Sequence, residues 1–528
     1  MKKKTFVYGA LILVFAQILS KIIGAVFRIP LTSLIGAEGL GIYQLVFPLY
    51  ALFLVLASSG IPVSLSKIIS RENSKQNYKN IKIIFKNSVL LMLVLGLIFS
   101  CLIVMLALPI STLQNNSSMY ILYFAIAPAL FFSTILSAFR GYFQGFEIFT
   151  PSSFSQVIEQ LFKLIFGLLF AYLLLPNGVL FGVLGAILGI SLSEFIAFLY
   201  LFICYKRKKI KIDFSFNSDA VFTNKQSIKL IIKEALPITL SSIILPLTSV
   251  VDSLIIIKLL YKVGFSFEIG SMLYGLDSGV VASLINLPSV IAVSFGVSLM
   301  PSLSSSYAKN NKKEVAFKSK LGLKLIWYFT LPCVLVFFLF NNEICGFLYS
   351  NLSLGNINQL EIAGLMLRLS SFTIIYTSLN QIATTSLQAI NKSYYPVFVV
   401  LITSVLKILL TVTLVLNKNL NIYGLVLSDV VSSGLACIVN LAILRKNVKI
   451  NFTFKEIFFV PMVALTFMAL ILILFKYILF SNLSRLLILI CVSASFVVYL
   501  LMVLMLKGFN LKELGNTKLL KFLNKKKY

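Results

Sequence analysis

Histidine is absent from all 528 residues. That removes imidazole metal ligands, histidine-based catalytic triads and histidine proton relays together. Acidic residues are scarce, 17 against 46 Lys and Arg, and charged residues of both signs make up only 12% of the chain. A water-soluble protein of this length needs a more charged surface. Cysteine supplies no scaffold either. Cys101, Cys204, Cys333, Cys345, Cys437 and Cys491 are scattered, show no C-x-x-C spacing and lie mostly in apolar runs, where they act as small hydrophobes.

What is abundant is hydrocarbon: 59% of residues are hydrophobic and the mean hydropathy is +0.98. A membrane is the solvent that fits. Apolar runs fall at about 5–33, 41–69, 87–109, 119–143, 153–175, 179–204, 234–260, 275–305, 322–341, 360–389, 394–416, 421–444, 456–479 and 485–506. Ser88 to Pro109, for example, holds no charged residue and is long enough to span. The pattern predicts an all-α integral membrane protein with fourteen transmembrane helices. Lys2 to Lys4 precede the first run, which continues through Lys21 to Arg28 without a small-x-small cleavage site, so an uncleaved first helix is expected.

The formal charge of +29 does not point to nucleic acid, because the basic residues sit in short tracts between apolar runs rather than on one soluble face. With the amino terminus inside, 35 basic residues fall in cytoplasmic segments and four (Lys262, Lys418, Lys476 and Arg485) outside. This asymmetry places both termini in the cytoplasm. Seven more are embedded in the runs: Lys21, Arg28, Lys67, Lys163, Lys258, Arg368 and Lys407.

An internal repeat is visible. Ile29-Pro30-Leu31-Thr32-Ser33 recurs as Leu245-Pro246-Leu247-Thr248-Ser249. Pro48 with Ile61-Pro62-Val63-Ser64 is echoed by Pro288 with Met300-Pro301-Ser302-Leu303, and Pro151 with Lys163 by Pro396 with Lys407. The echoes are six runs apart, an even number, so the two halves run in parallel. The expected layout is a six-helix lobe at 1–205, a basic cytoplasmic linker at 206–233, a pseudo-symmetric six-helix lobe at 234–448, two further helices at 449–507 and a basic tail at 508–528. Two such lobes suggest a central cavity and alternating access.

Charge inside a membrane is costly and marks candidate functional residues. Gln17, Lys21 and Arg28 fall near one helical face with Gly24 between them, and the first run holds no acid. Such a cationic stripe favours a phosphate-bearing substrate, with Arg28 as bidentate partner, although snorkelling to the headgroups is the alternative for both bases. Gln44 opens the second run. Gln156, Glu159, Gln160 and Lys163 form a polar face, with Glu159 and Lys163 spaced for an i,i+4 pair. Asp252 is a candidate for ion coupling or for charge balance with Arg28 or Lys21, or else a local partner of Lys258. Asn286 precedes Pro288. Ser370, Thr373, Thr377, Gln381, Thr384 and Gln388 form a polar stripe that suits sugar hydroxyls and interhelical packing alike. Gln44, Asn286 and Gln381 are the candidate polar contacts to a substrate. No metal site and no catalytic residue are expected.

Arg140-Gly141-Tyr142-Phe143-Gln144-Gly145, Thr150-Pro151, and Ser155-Gln156-Val157-Ile158-Glu159-Gln160 resemble the stage V sporulation protein B group of polysaccharide-biosynthesis membrane proteins. Gly41-Ile42-Tyr43-Gln44, Phe47-Pro48-Leu49-Tyr50, Ser59-Gly60-Ile61-Pro62-Val63-Ser64 and Asn286-Leu287-Pro288 to Met300-Pro301 agree. The resemblance implies membership of the multidrug/oligosaccharidyl-lipid/polysaccharide exporter superfamily, which includes lipid II flippases. Its substrate would be an undecaprenyl-pyrophosphate-linked sugar for peptidoglycan or another polysaccharide. Ser20-Lys21 and Arg28 match the basic segment that faces the cavity in those relatives. Lipid II flippases often carry an Asp-Arg pair where this chain has Ser283 to Asn286. The resemblance therefore implies a lipid-linked anionic sugar more firmly than lipid II itself.

The expected protein is a plasma-membrane flippase of bacterial type acting as a monomer, with membrane lipids and a lipid-linked oligosaccharide as partners and no cofactor. A cation-coupled multidrug exporter is the alternative. A sugar-polymer ligase fits less well, because the longest external loop, about Asn341 to Asn358, has only Glu343 as a carboxylate. The motif G-x-x-x-x-G-K-[ST] is missing, so an ion gradient or the membrane potential is left as energy source rather than ATP.

Overall fold

The apolar runs fold as helices because in lipid every backbone N–H and C=O must find its partner inside its own segment. The computed structural model describes residues 2–207, 222–349, 358–478, 485–506 and Gly508, and contains no strand among them. Most of the expected tail, and residues 208–221 of the expected linker, lie outside the described residues. The helices are α1 (Lys2–Ser58), α2 (Ile61–Ser74), α3 (Tyr78–Leu113), α4 (Tyr120–Gly145), α5 (Phe149–Leu174), α6 (Val179–Arg207), α7 (Asn224–Ser242), α8 (Ile244–Val263) and α9 (Phe267–Tyr274). They continue as α10 (Ala282–Ala308), α11 (Lys312–Leu339), α12 (Asn341–Leu348), α13 (Gln359–Ala389), α14 (Tyr394–Val415), α15 (Ile422–Val448), α16 (Val460–Ile478) and α17 (Arg485–Met505). π-helical turns at Gly275–Val281 and Lys455–Phe459 lead into α10 and α16.

Among the described residues, twelve helical stretches are long and apolar enough to cross a membrane. The first, Phe15–Ser74, joins the first two expected runs into 60 residues. Sixty residues of unbroken helix would extend about 90 Å, roughly three hydrocarbon thicknesses. The backbone in fact leaves helical geometry at Gly36 (φ 70°, ψ 178°), a conformation that glycine adopts without a Cβ clash. The expected run 234–260 also differs: it is cut at Ile243, between α7 and α8. The last expected run, 485–506, corresponds to α17 (Arg485–Met505).

The helices stop and restart through a recurrent device. Gln76, Asn115 and Asn310 hold positive φ values of 58°, 60° and 54°. In each case the next residue is an asparagine whose side chain accepts a backbone N–H of the following turn: Asn77 from Asn80, Asn116 from Ser118 and Asn311 from Glu314. Asparagine suits both tasks, tolerating the left-handed region and capping a helix start. α7 begins with a capping box in which Thr223 and Gln226 satisfy each other's backbone N–H.

The chain divides into two compact units. One comprises Met1–Ser283, Tyr349–Gln359 and Ser404–Ser428; the other comprises Leu284–Leu348, Leu360–Thr403 and Asp429–Tyr528. In the first unit α5 and α6 lie unusually close, since a methyl at Gly189 would stand 2.3 Å from the backbone nitrogen of Gly167. Small residues at such a seam let helix backbones approach in lipid, where no hydrophobic force drives helices together. Leu65, Ile69, Ile84, Leu136, Phe143 and Leu201 centre its hydrophobic core. The second unit has one cluster around Leu303, Ile382, Leu387 and Leu444, and another around Met468, Leu472 and Tyr499. The two copies of the Pro-Leu-Thr-Ser repeat make matching local bonds. Thr32 and Thr248 donate to the carbonyls of Arg28 and Ile244 at 2.7 and 2.9 Å, and Ser33 and Ser249 to those of Ile29 and Leu245, both at 3.2 Å.

Candidate functional site

Gln17, Lys21 and Arg28 all lie on α1. Gln17 and Lys21 are exposed, and Arg28, half-buried, lies seven residues beyond Lys21. On a helix that is two turns, about 10 Å along one face. Gly24 sits against α5, where an added methyl would stand 3.1 Å from Oε1 of Gln160. Arg28 donates from Nη1 to Oγ of Ser283 at 2.7 Å, and Ser283 itself donates to the carbonyl of Gly279. Ser283 thereby orients a guanidinium that has five N–H donors in a planar fork, the geometry that recognises phosphate oxygens bidentately. A planar cation and a flexible ammonium two turns apart can bind an extended anion such as a diphosphate.

Gln44 is buried, and its amide nitrogen donates to the carbonyl of Ser278 at 2.5 Å, tying α1 to the π-helical turn before α10. Asp252, on α8, is 5% exposed, and its Oδ2 lies 2.8 Å from Nζ of Lys407 on α14. Lys407 is thus an ion partner that the spacing of residues along α8 does not indicate. α14 presents the ammonium at ion-pair distance within the same compact unit, which a spacing argument along one helix cannot reveal.

The expected Glu159–Lys163 pair is corrected in the same way. Glu159 binds Arg140 of α4 (Oε2 to Nη2, 2.8 Å), and Gln160 donates to its other oxygen at 2.9 Å. Lys163 instead places Nζ over the rings of Phe27 and Phe47, 5.3 and 5.4 Å from their centroids. A guanidinium already fixed by Ser155 at 3.0 Å is the better carboxylate partner, and the aromatic faces attract the remaining ammonium. Arg140, assigned by charge counting to a cytoplasmic segment, is inside α4 with its side chain 18% exposed. Near this pair lies Glu194 of α6, 5% exposed, which sequence reasoning missed. The signal was present: Glu194 is the sole charged residue between Val179 and Cys204.

The remaining candidates belong to the second unit. Asn286 on α10 is exposed and Gln381 on α13 is half-buried. Part of the α13 stripe is used in packing, since Thr377 lies 3.3 Å from Ser289 of α10 and bonds the carbonyl of Thr373 at 2.8 Å. Gly296 of α10 faces Thr385 and Gln381, and an added methyl would stand 2.9 Å from Oγ1 of Thr385. A cavity of about 220 Å³ in this unit is lined by Leu323, Lys324, Trp327, Leu379, Phe452 and Glu456, among others. Among the described residues, no group of three or more Cys, Asp or Glu is placed to hold a metal ion.

Known proteins are similar to this chain in sequence and in fold. The family described as "Polysaccharide biosynthesis protein" matches residues 6–307. Stage V sporulation protein B of Bacillus subtilis (strain 168) is 28% identical over 460 residues, covering 86% of each chain. The lipid II flippase MurJ of the same organism is 26% identical over 422 residues, 77% of each chain. Among solved structures, an inward-facing multidrug resistance MATE family transporter of the MOP superfamily superposes with a TM-score of 0.67 at 16% identity, over 81% of this chain and 94% of that one. At that identity the likeness is one of fold. The relatives whose names state an activity are a flippase and a transporter, not enzymes. The matched segment covers more than half of the sequence and carries the basic stripe of α1, so this multi-pass membrane chain belongs to the polysaccharide biosynthesis protein family.

Proposed function

We propose that the protein is a flippase that moves an undecaprenyl-pyrophosphate-linked sugar, a precursor of peptidoglycan or another wall polysaccharide, to the outer leaflet by alternating access. The observation that carries this reading is the pair Lys21 and Arg28 on one face of α1, in a segment that holds no acidic residue. Two fixed positive charges in a membrane-spanning helix are unfavourable unless an anion or water meets them. A pyrophosphate supplies the anion, and a prenyl chain is soluble in the surrounding lipid. The similarity to a lipid II flippase over three quarters of the chain supports the same substrate class.

In this reading α1 crosses the membrane twice, once on each side of Gly36, and α17 completes fourteen crossings. Both termini lie in the cytoplasm, and two six-helix lobes are followed by a helix pair. The protein works as a monomer, driven by an ion gradient or the membrane potential.

The test is equilibrium binding of an undecaprenyl-pyrophosphate sugar to purified protein. Arg28→Ala combined with Lys21→Ala should weaken it by at least two orders of magnitude, the scale of two lost charge-assisted contacts of about 1.5–3 kcal/mol each. Unchanged affinity would remove the site.

The fold is shared with a multidrug transporter, so a cation-coupled exporter is the second reading. A cationic drug would need acids where α1 offers bases. Raised drug tolerance on overexpression, without flipping of lipid-linked sugar, would favour that reading.

A further inference from the structure

One buried carboxyl in the first unit has no role in the proposed substrate site. Glu194 lies within α6, an otherwise apolar span, and is 5% exposed. Tyr50 of α1 donates to Oε1 at 3.4 Å, a long bond, while Oε2 is enclosed and makes no hydrogen bond. Buried polar atoms nearly always have partners, so an orphaned carboxylate oxygen calls for an explanation.

The groups that surround it come from three helices. α1 contributes Tyr50, with Tyr43 beside it; α4 contributes Ser133 and Arg140; α5 contributes Glu159 and Lys163. Both cations are engaged elsewhere. Arg140 bonds Glu159 and Ser155, and Lys163 lies over Phe27 and Phe47. Of the two carboxyls in the cluster, Glu159 therefore has a guanidinium and an amide donor, whereas Glu194 has a distant phenol and the hydroxyl of Ser133, both uncharged. An ionised carboxylate enclosed in that way is costly, and a bound proton removes the cost while supplying the O–H that a neutral acid needs.

We propose that Glu194 is a proton-binding site of the transport cycle, loaded in the conformation described here. Release needs only a change of partner. When Arg140 or Lys163 turns from its present contacts toward Glu194, the O–H bond breaks, the carboxylate keeps the electron pair, and the proton passes to water on the side then open. The cluster thereby links protonation of α6 to the packing of α1, α4 and α5. The proposal rests on the transporter reading and specifies a proton gradient as its energy source.

Infrared difference spectroscopy between acidic and alkaline buffer, on the full chain in lipid nanodiscs, tests it without any substrate. The wild type should show a carbonyl stretch of a buried protonated carboxyl. Glu194→Gln should lose that band, and Tyr50→Phe, which leaves the carboxyl in place, should shift it. Persistence of the band in Glu194→Gln, its absence from the wild type, or no shift in Tyr50→Phe would overturn the proposal. So would removal of the wild-type band by sodium chloride at constant pH. Reconstituted vesicles with an imposed pH gradient give the functional arm. Flipping of an undecaprenyl-pyrophosphate sugar should be accelerated several-fold in the wild type and made insensitive to the gradient in Glu194→Gln. If the band behaves as expected but that lipid does not move, the proton site stands and the substrate assignment fails.

Discussion

Nζ of Lys407 lies 2.8 Å from Oδ2 of Asp252, an ion pair that joins α14 to α8 inside the first compact unit. Its side chains are 18% and 7% exposed, so neither charge is well solvated. Removing one partner of a poorly solvated pair costs about 3–5 kcal/mol, whereas replacing both by apolar residues of similar size is often neutral. Asp252→Asn should therefore lower the melting temperature clearly, and Asp252→Leu with Lys407→Met should recover most of the loss. Labelling of the buried thiols Cys345, Cys437 and Cys491 by a fluorogenic maleimide during heating reports the transition. Equal melting of single and double variants would show that the pair does not hold these helices.

Arg28 and Ser283 yield a ranking. Arg28→Lys keeps the charge but loses the planar fork, and should weaken pyrophosphate-lipid binding by roughly tenfold, about 1.4 kcal/mol. Arg28→Ala should cost more. Ser283→Ala removes only the hydroxyl that orients Nη1 at 2.7 Å, and should cost a few-fold, near 1 kcal/mol. Titration calorimetry with undecaprenyl pyrophosphate gives the order. A loss for Ser283→Ala larger than that for Arg28→Lys would mean that the serine itself contacts the ligand.

Much of the helical order was legible because hydropathy and helix length report directly on the solvent. That Lys21 and Arg28 share a helix face was legible too, since spacing along one helix determines which residues lie on one side. Pairing between helices was not. Glu159 looked committed to Lys163 by spacing, yet Arg140 on another helix takes it. Asp252 had a plausible neighbour in Lys258, yet Lys407, far along the chain, is the base shown at ion-pair distance. Spacing ranks partners on one helix, and only packing says which helix supplies a better one. The boundary between the first two runs was legible in place, since Gly36, where the backbone leaves helical geometry, falls in the gap between residues 33 and 41.

α1 meets the segment before α10 with no room for side chains at Gly41 and Gly275. A methyl at Gly41 would fall 1.7 Å from the carbonyl oxygen of Ser271, and one at Gly275 would fall 2.0 Å from that of Ala37. Backbone atoms cannot swing aside as side chains do, so overpacking of about 1–3 kcal/mol is expected at each position. Gly270→Ala is the control, since its nearest neighbour would be a side-chain carbon at 3.6 Å. Gly41→Ala and Gly275→Ala should lower the melting temperature and Gly270→Ala should not. Melting of all three at the wild-type temperature would show that this contact is looser than described.

Glu456 holds the start of α16 to α11. Its carboxylate meets Lys320 at 2.8 Å and Lys324 at 3.3 Å, and Lys324 is only 4% exposed. The π-helical turn Lys455–Phe459 leaves carbonyls outside the regular α-helical ladder, and α11 uses two of them. Tyr328 donates to that of Glu456 at 2.8 Å, and Trp327 donates from Nε1 to that of Ile457 at 2.9 Å. Glu456→Gln would take the carboxylate charge away from between the ammonium groups of Lys320 and Lys324. Because one of them is buried, the loss should exceed the 0–1 kcal/mol typical of a surface pair and reach about 2–3 kcal/mol. Trp327 is the one tryptophan in the sequence, so its fluorescence reads this joint alone. Glu456→Gln should shift its emission to longer wavelength as the turn loosens and water reaches the indole. Glu456→Asp, which keeps the charge on a shorter arm, should fall between the wild type and the amide. Emission unchanged in Glu456→Gln would show that Trp327 and Tyr328 hold the turn without the ion cluster.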